Sequence, residues 1–183
     1  ITSSAVALTY NTNAKTVTFT LKDEDGNTLP SQPVALKFNG KTYDKATNSK
    51  GQVSVDVSKL APNSYTAKFT YNGDNTYEKS TGTAKVVVKK ATPTITVKAK
   101  TFKKSVKTKK YSITLKVNSK VMKSTKVTIK VNKKTYSAKT NSKGVAIFKI
   151  TKLTKKGRYI ATVKYAGGKY YNAKSAQVKI TVK

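Results

Sequence analysis

The sequence predicts an all-β chain built as two tandem sandwich domains. Three observations carry that prediction. Apolar and polar residues alternate at period two through most of the chain, the signature of half-buried strands. The pentapeptide TNSKG stands at Thr47–Gly51 and again at Thr140–Gly144, and matches around it extend over nearly the whole offset of 93 or 94 residues. Turn-forming residues punctuate the alternation about every eight to twelve positions.

In chain order, Val17/Phe19/Leu21 is the first clear alternating strand, and Asp23-Glu24-Asp25-Gly26-Asn27 is the turn that ends it. Val34/Leu36/Phe38 follows, and then Asn39-Gly40, the pair that a type I′ hairpin favours because both central residues need positive φ. After the first TNSKG come Val53/Val55/Val57, a corner at Leu60, and the strand Tyr65/Ala67/Phe69/Tyr71. Sliding the chain on itself lays Lys134-Thr135-Tyr136 over Lys41-Thr42-Tyr43, Leu153 over Leu60 and Tyr159 over Tyr65. It also lays YAGGKYY (Tyr165–Tyr171) over YNGDNTY (Tyr71–Tyr77). The second copy alternates at Ile113/Leu115/Val117, Val127/Ile129/Val131 and Tyr159/Ala161/Val163/Tyr165, and turns on Asn132-Lys133, a poorer pair than Asn-Gly.

GVAIFKI is ambiguous taken alone, because four consecutive residues are apolar. The repeat resolves it: Ala146/Phe148/Ile150 align with Val53/Val55/Val57 and face inward, so Val145 and Ile147 face out. A one-residue slip would invert both faces. VVVKK passes into ATPTITV across Lys89–Pro93 with almost no linker, dividing the chain into domains 1–90 and 91–183. The expectation is a rod with limited hinge freedom. About seven short strands per copy is the pattern of an immunoglobulin-like (Ig-like) β-sandwich. Tyr65 and Tyr159, opening strands just after the Leu60 and Leu153 corners, stand where a tyrosine corner ties its hydroxyl to the upstream backbone.

Composition removes several function classes. There is no cysteine, histidine or tryptophan, so disulfides, thiolate metal sites and His-based catalysis are all unavailable. No stretch approaches the 18 apolar residues of a membrane-spanning helix. The opening ITSSAVALTYN lacks the basic start and apolar run of a signal peptide, which reads as a mature piece of something longer. No Asn-x-Ser/Thr acceptor for N-glycosylation occurs.

The segments LKDEDGNTLPSQPVALKF, TNSKGQVSVDV and LAPNSYTAKFTYNGDNTYEKS resemble the repeated Ig-like domains of prokaryotic surface proteins. The second copy, from TNSKGVAIFKI to QVKITVK, is similar more particularly to the Lys-rich Ig-like repeats of adhesin-like proteins of methanogenic archaea. It departs from the broader pattern where DEDGN becomes NSKVM and where Gly-Asp becomes Gly167-Gly168. The resemblance implies an extracellular, cell-surface stalk or spacer with neighbouring Ig-like repeats as partners. It also raises the internal Lys–Asn or Thr–Gln crosslinks of some such domains. Those need a buried acid, which the second copy lacks; the first copy, although its acids read as exposed, stays open to such a crosslink.

Asp23 and Asp25 are the only metal candidates, as ligands of a hard cation, but their spacing is not that of an EF-hand and Asp-Gly-Asn is ordinary turn chemistry. Asp74 reads as a loop-ordering acceptor. The remaining acids, Asp44, Asp56 and Glu78 among them, fall on loops or outward positions, and there is no P-loop or dinucleotide turn. A Ser or Thr nucleophile has no base. The expectation is therefore no enzyme and no cofactor.

Charge is the outlier, at +31. Residues 1–90 hold 12 of the 38 basic residues and all 7 acids, while residues 91–183 hold the other 26 and no acid. Lys116, Lys130, Lys149, Lys164 and Lys179 alternate with inward positions, so they stud the sheet faces. Lys103-Lys104, Lys107, Lys109-Lys110, Lys133-Lys134 and Lys155-Lys156 with Arg158 load the loops. The candidate binding set for an anionic cell-wall or host-surface polymer is Lys133, Lys134, Lys155, Lys156 and Arg158, with Tyr170 and Tyr171 as stacking platforms. Two features weigh against nucleic acid: Arg158 is the only arginine, and the lysines surround the domain where a binding footprint is usually local. A solvated coat that blunts exposed sheet edges is the competing reading.

Overall fold

A computed structural model of the chain describes residues 1–11 and 15–183. The protein is all-β and forms two compact units, Ile1–Lys90 and Ala91–Lys183. Unit 1 contains β1 (Thr2–Ser3), β2 (Val6–Thr9), β3 (Thr16–Thr20), β4 (Pro33–Phe38), β5 (Lys41–Ala46), β6 (Gln52–Asp56), β7 (Asn63–Tyr71) and β8 (Ser80–Lys89). Unit 2 contains β9 (Thr94–Thr96), β10 (Lys100–Phe102), β11 (Lys109–Val117), β12 (Lys120–Val121), β13 (Lys126–Val131), β14 (Lys134–Lys139), β15 (Val145–Ile150), β16 (Gly157–Tyr165) and β17 (Lys174–Val182).

Each unit is a two-sheet sandwich. In unit 1 a sheet of order β1-β3-β6 faces one of order β2-β8-β7-β4-β5. In unit 2 β11 lies between β15 and the short β9 and β12, and the facing sheet has order β10-β17-β16-β13-β14. The strands exceed seven by one in unit 1 and by two in unit 2, where one of the two is the short β12 on β11; the other extra strand has the same origin in both units. The first strand of each sandwich splits, pairing antiparallel to one sheet (β1 on β3, β9 on β11) and then parallel to the last strand of the other (β2 on β8, β10 on β17).

The period-two pattern places the core as expected. Val17, Phe19 and Leu21, Val34, Leu36 and Phe38, and Val53, Val55 and Val57 are all buried. Phe19 and Phe69 stack across the two sheets of unit 1 with ring centroids 5.4 Å apart. In unit 2 Ala146, Phe148 and Ile150 are fully buried while Ile147 is 51% exposed, so the register inferred for GVAIFKI is the observed one.

The repeated TNSKG loop has a physical cause at three of its five positions. Buried Thr47 donates its hydroxyl to Leu29 O at 2.7 Å and accepts from Gln32 N at 2.9 Å, and buried Thr140 does the same to Met122 O at 2.6 Å and from Thr125 N at 2.9 Å. Asn48 Oδ1 accepts from Lys50 N and Gln52 N, and Asn141 Oδ1 from Lys143 N and Val145 N. Gly51 (φ 64°) and Gly144 (φ 71°) lie against Leu21 O and Leu115 O, where an added Cβ would come within 2.7 and 2.9 Å. Nothing in the structure explains the shared Ser and Lys between them.

Candidate polyanion-binding sites

Lys155 and Lys156 lie on the loop between β15 and β16, and Arg158 is the second residue of β16. β13 pairs antiparallel with β16, Lys130 opposite Thr162, so the Asn132-Lys133 turn lies beside the first residues of β16. Lys133, Lys134, Lys155, Lys156 and Arg158 therefore share one end of unit 2, all exposed. Tyr159 fixes this loop by donating its hydroxyl to Lys155 O at 2.8 Å, and Tyr65 donates to Ala61 O at 2.9 Å at the same place in unit 1. With no Asp or Glu in residues 91–183, no side chain within the unit neutralises this cluster.

The tyrosines are not part of that cluster. Tyr170 and Tyr171 sit on the loop between β16 and β17, at the other end of a nine-residue strand. At about 3.3 Å rise per residue that strand separates them from the cations by roughly 27 Å. Tyr170 O accepts from Ala91 N at 3.1 Å, Tyr171 bridges Ala91, and Lys169 Nζ lies 5.5 Å from the Tyr170 ring centroid. The sequence reading sets the two tyrosines with the lysines as stacking platforms for one polymer. An antiparallel hairpin sends them to opposite ends.

Lys116, Lys130, Lys149, Lys164 and Lys179 are exposed on the sheet faces. Lys109 corrects the expectation that Lys109-Lys110 loads a loop. It is the first residue of β11, 1% exposed, and its Nζ donates to Val106 O at 2.7 Å. The signal was present, since Lys109 continues the inward series Tyr111/Ile113/Leu115/Val117. Tyr111 was also missed. Its hydroxyl donates to Lys98 O at 2.9 Å and accepts from Lys98 N at 3.2 Å, and burial raises its pKa.

In unit 1, Asp23, Glu24, Asp25, Tyr71, Tyr77 and Glu78 line a cleft of about 630 Å³. Both Asp23 oxygens serve the turn, accepting from Asn27 N at 2.7 Å and Asn27 Nδ2 at 3.1 Å. Among the described residues no group of three or more acids is placed to hold a metal ion. Asp74 orders the neighbouring loop, accepting from Thr76 N, Tyr77 N and the Tyr71 hydroxyl, each at 2.8 Å. These hydrogen bonds hold its carboxyl below the usual range, the two backbone amides contributing most. Burial, with the Asp74 hydrogen bond second, pushes Tyr71 up to about 12. Gly168 stands at the matching place in unit 2, where burial raises Tyr165. Among the described residues, no helix is long and apolar enough to cross a membrane.

No family model and no curated protein matches the sequence. Solved structures do. The titin domains Z1Z2, solved in complex with telethonin, align over 99% of this chain and 93% of theirs at 11% identity with a TM-score of 0.56. Invasin, a bacterial integrin-binding protein, aligns over 100% of this chain at 17% identity with a TM-score of 0.50. A Ca²⁺-stabilized adhesin with which an Antarctic bacterium binds ice aligns over 100% at 18% identity and a TM-score of 0.37. The chain spans 38% of the invasin chain and 49% of the ice-binding adhesin. At these identities the likeness to the titin pair and to invasin establishes the fold alone, a tandem of Ig-like β-sandwiches.

Proposed function

We propose that the chain is a non-catalytic segment of an extracellular, adhesin-like surface protein, in which two independently folding Ig-like domains serve as a load-bearing spacer between further repeats. One observation carries this reading. In each unit the first strand to reach the larger sheet runs parallel to the last strand, Val6–Thr9 beside Val86–Lys89 and Lys100–Phe102 beside Ile180–Val182. Tension on the two ends of a unit pulls such a pair in opposite directions along its length. Its hydrogen bonds are then loaded together in shear and not unzipped singly. The fold likeness to invasin supports a surface setting by analogy. The closer resemblance to Lys-rich archaeal repeats rests on the residues quoted for it.

Force spectroscopy on the full chain tests the spacer. The expected trace has two high-force unfolding events. Lys104→Pro, which removes the Lys104 N to Lys183 O hydrogen bond of 2.6 Å at an exposed position, lowers only one of them. Low-force, gradual extension, or indifference to that substitution, overturns it.

A second reading, specific docking of an anionic glycan or wall polymer, is favoured by the five cations gathered at one end of unit 2. A salt titration of the full chain against anionic wall polymer, with duplex DNA as competitor, separates the two. Equal binding lost together at moderate salt leaves the spacer with a non-specific coat. Polymer retained through salt that strips DNA establishes a site.

A further inference from the structure

We infer that the groove between β14 and β15 of unit 2 docks an extended acidic peptide, which adds as a strand along the free edge of β15. The groove, of about 440 Å³, is lined by Tyr136, Ser137, Ala138, Lys139, Val145, Ile147 and Lys149 among others. It lies where the two sheets part, because among the described residues β14 pairs only with β13 and β15 only with β11. Leu115 N donates to Gly144 O at 2.9 Å, which makes that pair hydrogen-bonded and, by alternation, leaves Ser112–Ile147 and Lys110–Lys149 as non-hydrogen-bonded pairs. The N–H and C=O of Ile147 and Lys149 therefore point away from β11 into the groove. Asn141 already satisfies the corresponding groups of Val145 through its side chain and its amide.

Unit 1 shows the same edge closed. There Lys45, the counterpart of Ala138, reaches across and donates its Nζ to Ser54 O at 3.0 Å, and Ser54 is the counterpart of Ile147. A lysine over an edge strand is a recognised guard against strand addition. Unit 2 has lost that guard and replaced Gln52 and Ser54 with Val145 and Ile147, giving the edge an apolar floor. The occupant's chemistry follows from both features. Edge amides and carbonyls at strand spacing match a peptide backbone, and an apolar floor takes its alternate side chains. Lys139 and Lys149 on the rim, in a unit of 26 basic residues and no acid, select carboxylates on the rest.

The probe is a fluorescent peptide of about ten residues alternating glutamate with valine, titrated into the full chain at near-physiological salt. Its controls are the same peptide N-methylated at alternate residues, and polygalacturonate. Saturable binding is expected, weakened about tenfold or more by Ala138→Lys, which rebuilds the guard while adding a positive charge. Ile147→Pro, a second variant, removes the outward N–H together with the isoleucine of the floor and should weaken binding as well, and thermal melts check both folds. An Ala138→Lys chain that binds equally or more tightly overturns the proposal, because simple charge attraction predicts that result. Equal binding of the N-methylated peptide or polygalacturonate overturns it as well. So does a dimer of the chain alone that Ala138→Lys dissociates, since the occupant is then a second copy.

Discussion

The Tyr71 hydroxyl donates to Asp74 Oδ2 at 2.8 Å, joining the last residue of β7 to the loop that follows it. Asp74 is exposed, yet it also accepts from two backbone amides, so one carboxylate holds the loop and fixes a buried phenol. The pH dependence follows in sign. Asp74 is depressed, so its contribution is complete above the ordinary carboxylate range and falls away as pH drops through its folded value. Tyr71 is raised to about 12, so its contribution is complete below 10 and is lost as pH climbs toward 12. Asp74→Asn should flatten the acid limb of unit 1 relative to wild type in denaturant melts at stepped pH. Parallel acid limbs would refute this account.

The buried hydroxyls of Thr47 and Thr140 are the second test. Valine fills the same volume but leaves a carbonyl and an amide without their partner, at a cost of about 1–3 kcal/mol. Thr47→Val should lower the transition of residues 1–90, and Thr140→Val that of residues 91–183. Urea unfolding followed by residue-resolved NMR reads both. A loss spread over both units from either substitution would contradict independent folding.

The fold was legible because burial and period two coincide in these strands, and because an internal repeat settles the ambiguous ones. Ala146, Phe148 and Ile150 were assigned inward by alignment with Val53, Val55 and Val57, and that is where they lie. The split first strands were not legible, since exposed Thr2–Ser3 and short Lys100–Phe102 carry little alternation. Which side chains come together is less legible, for a different reason. Aromatic and basic residue types suggest Tyr170 and Tyr171 as partners of Lys155 and Lys156, but a nine-residue strand lies between them. The Lys45–Ser54 clasp depends on a side chain crossing between sheets, which no periodicity encodes.

Lys109 gives a prediction about the core of the basic unit. Its ammonium is buried against one carbonyl, Val106 O, and residues 91–183 offer it no carboxylate. Methionine preserves the aliphatic length and removes the charge, while Val106, 41% exposed, stands at the surface where its carbonyl can turn to water. Lys109→Met should leave unit 2 as stable or more stable by about 1 kcal/mol, with a smaller gain on adding salt. Lys109→Ala should instead destabilise, by leaving a cavity. Thermal melts across a salt series measure both, and a destabilised methionine variant would mean that the single hydrogen bond outweighs the charge.

Lys133 separates strain from binding in the candidate cation cluster. The β4–β5 turn holds Asn39 at φ 48° and Gly40 at φ 76°, and the β13–β14 turn repeats the geometry with Asn132 at 46° and Lys133 at 62°. A lysine in the left-handed region costs about 1–2 kcal/mol that a glycine does not. Lys133→Gly should therefore raise the stability of unit 2 by about 1 kcal/mol. Gly40→Lys should lower that of unit 1 by a similar amount. If Lys133 also contributes to an anion site, the glycine variant should bind anionic polymer more weakly while melting higher. A coat of independent charges predicts no more than the small loss expected for any one of the 26 cations. Melting and polymer titration on one preparation decide between them, because the two readings differ in binding and agree in stability.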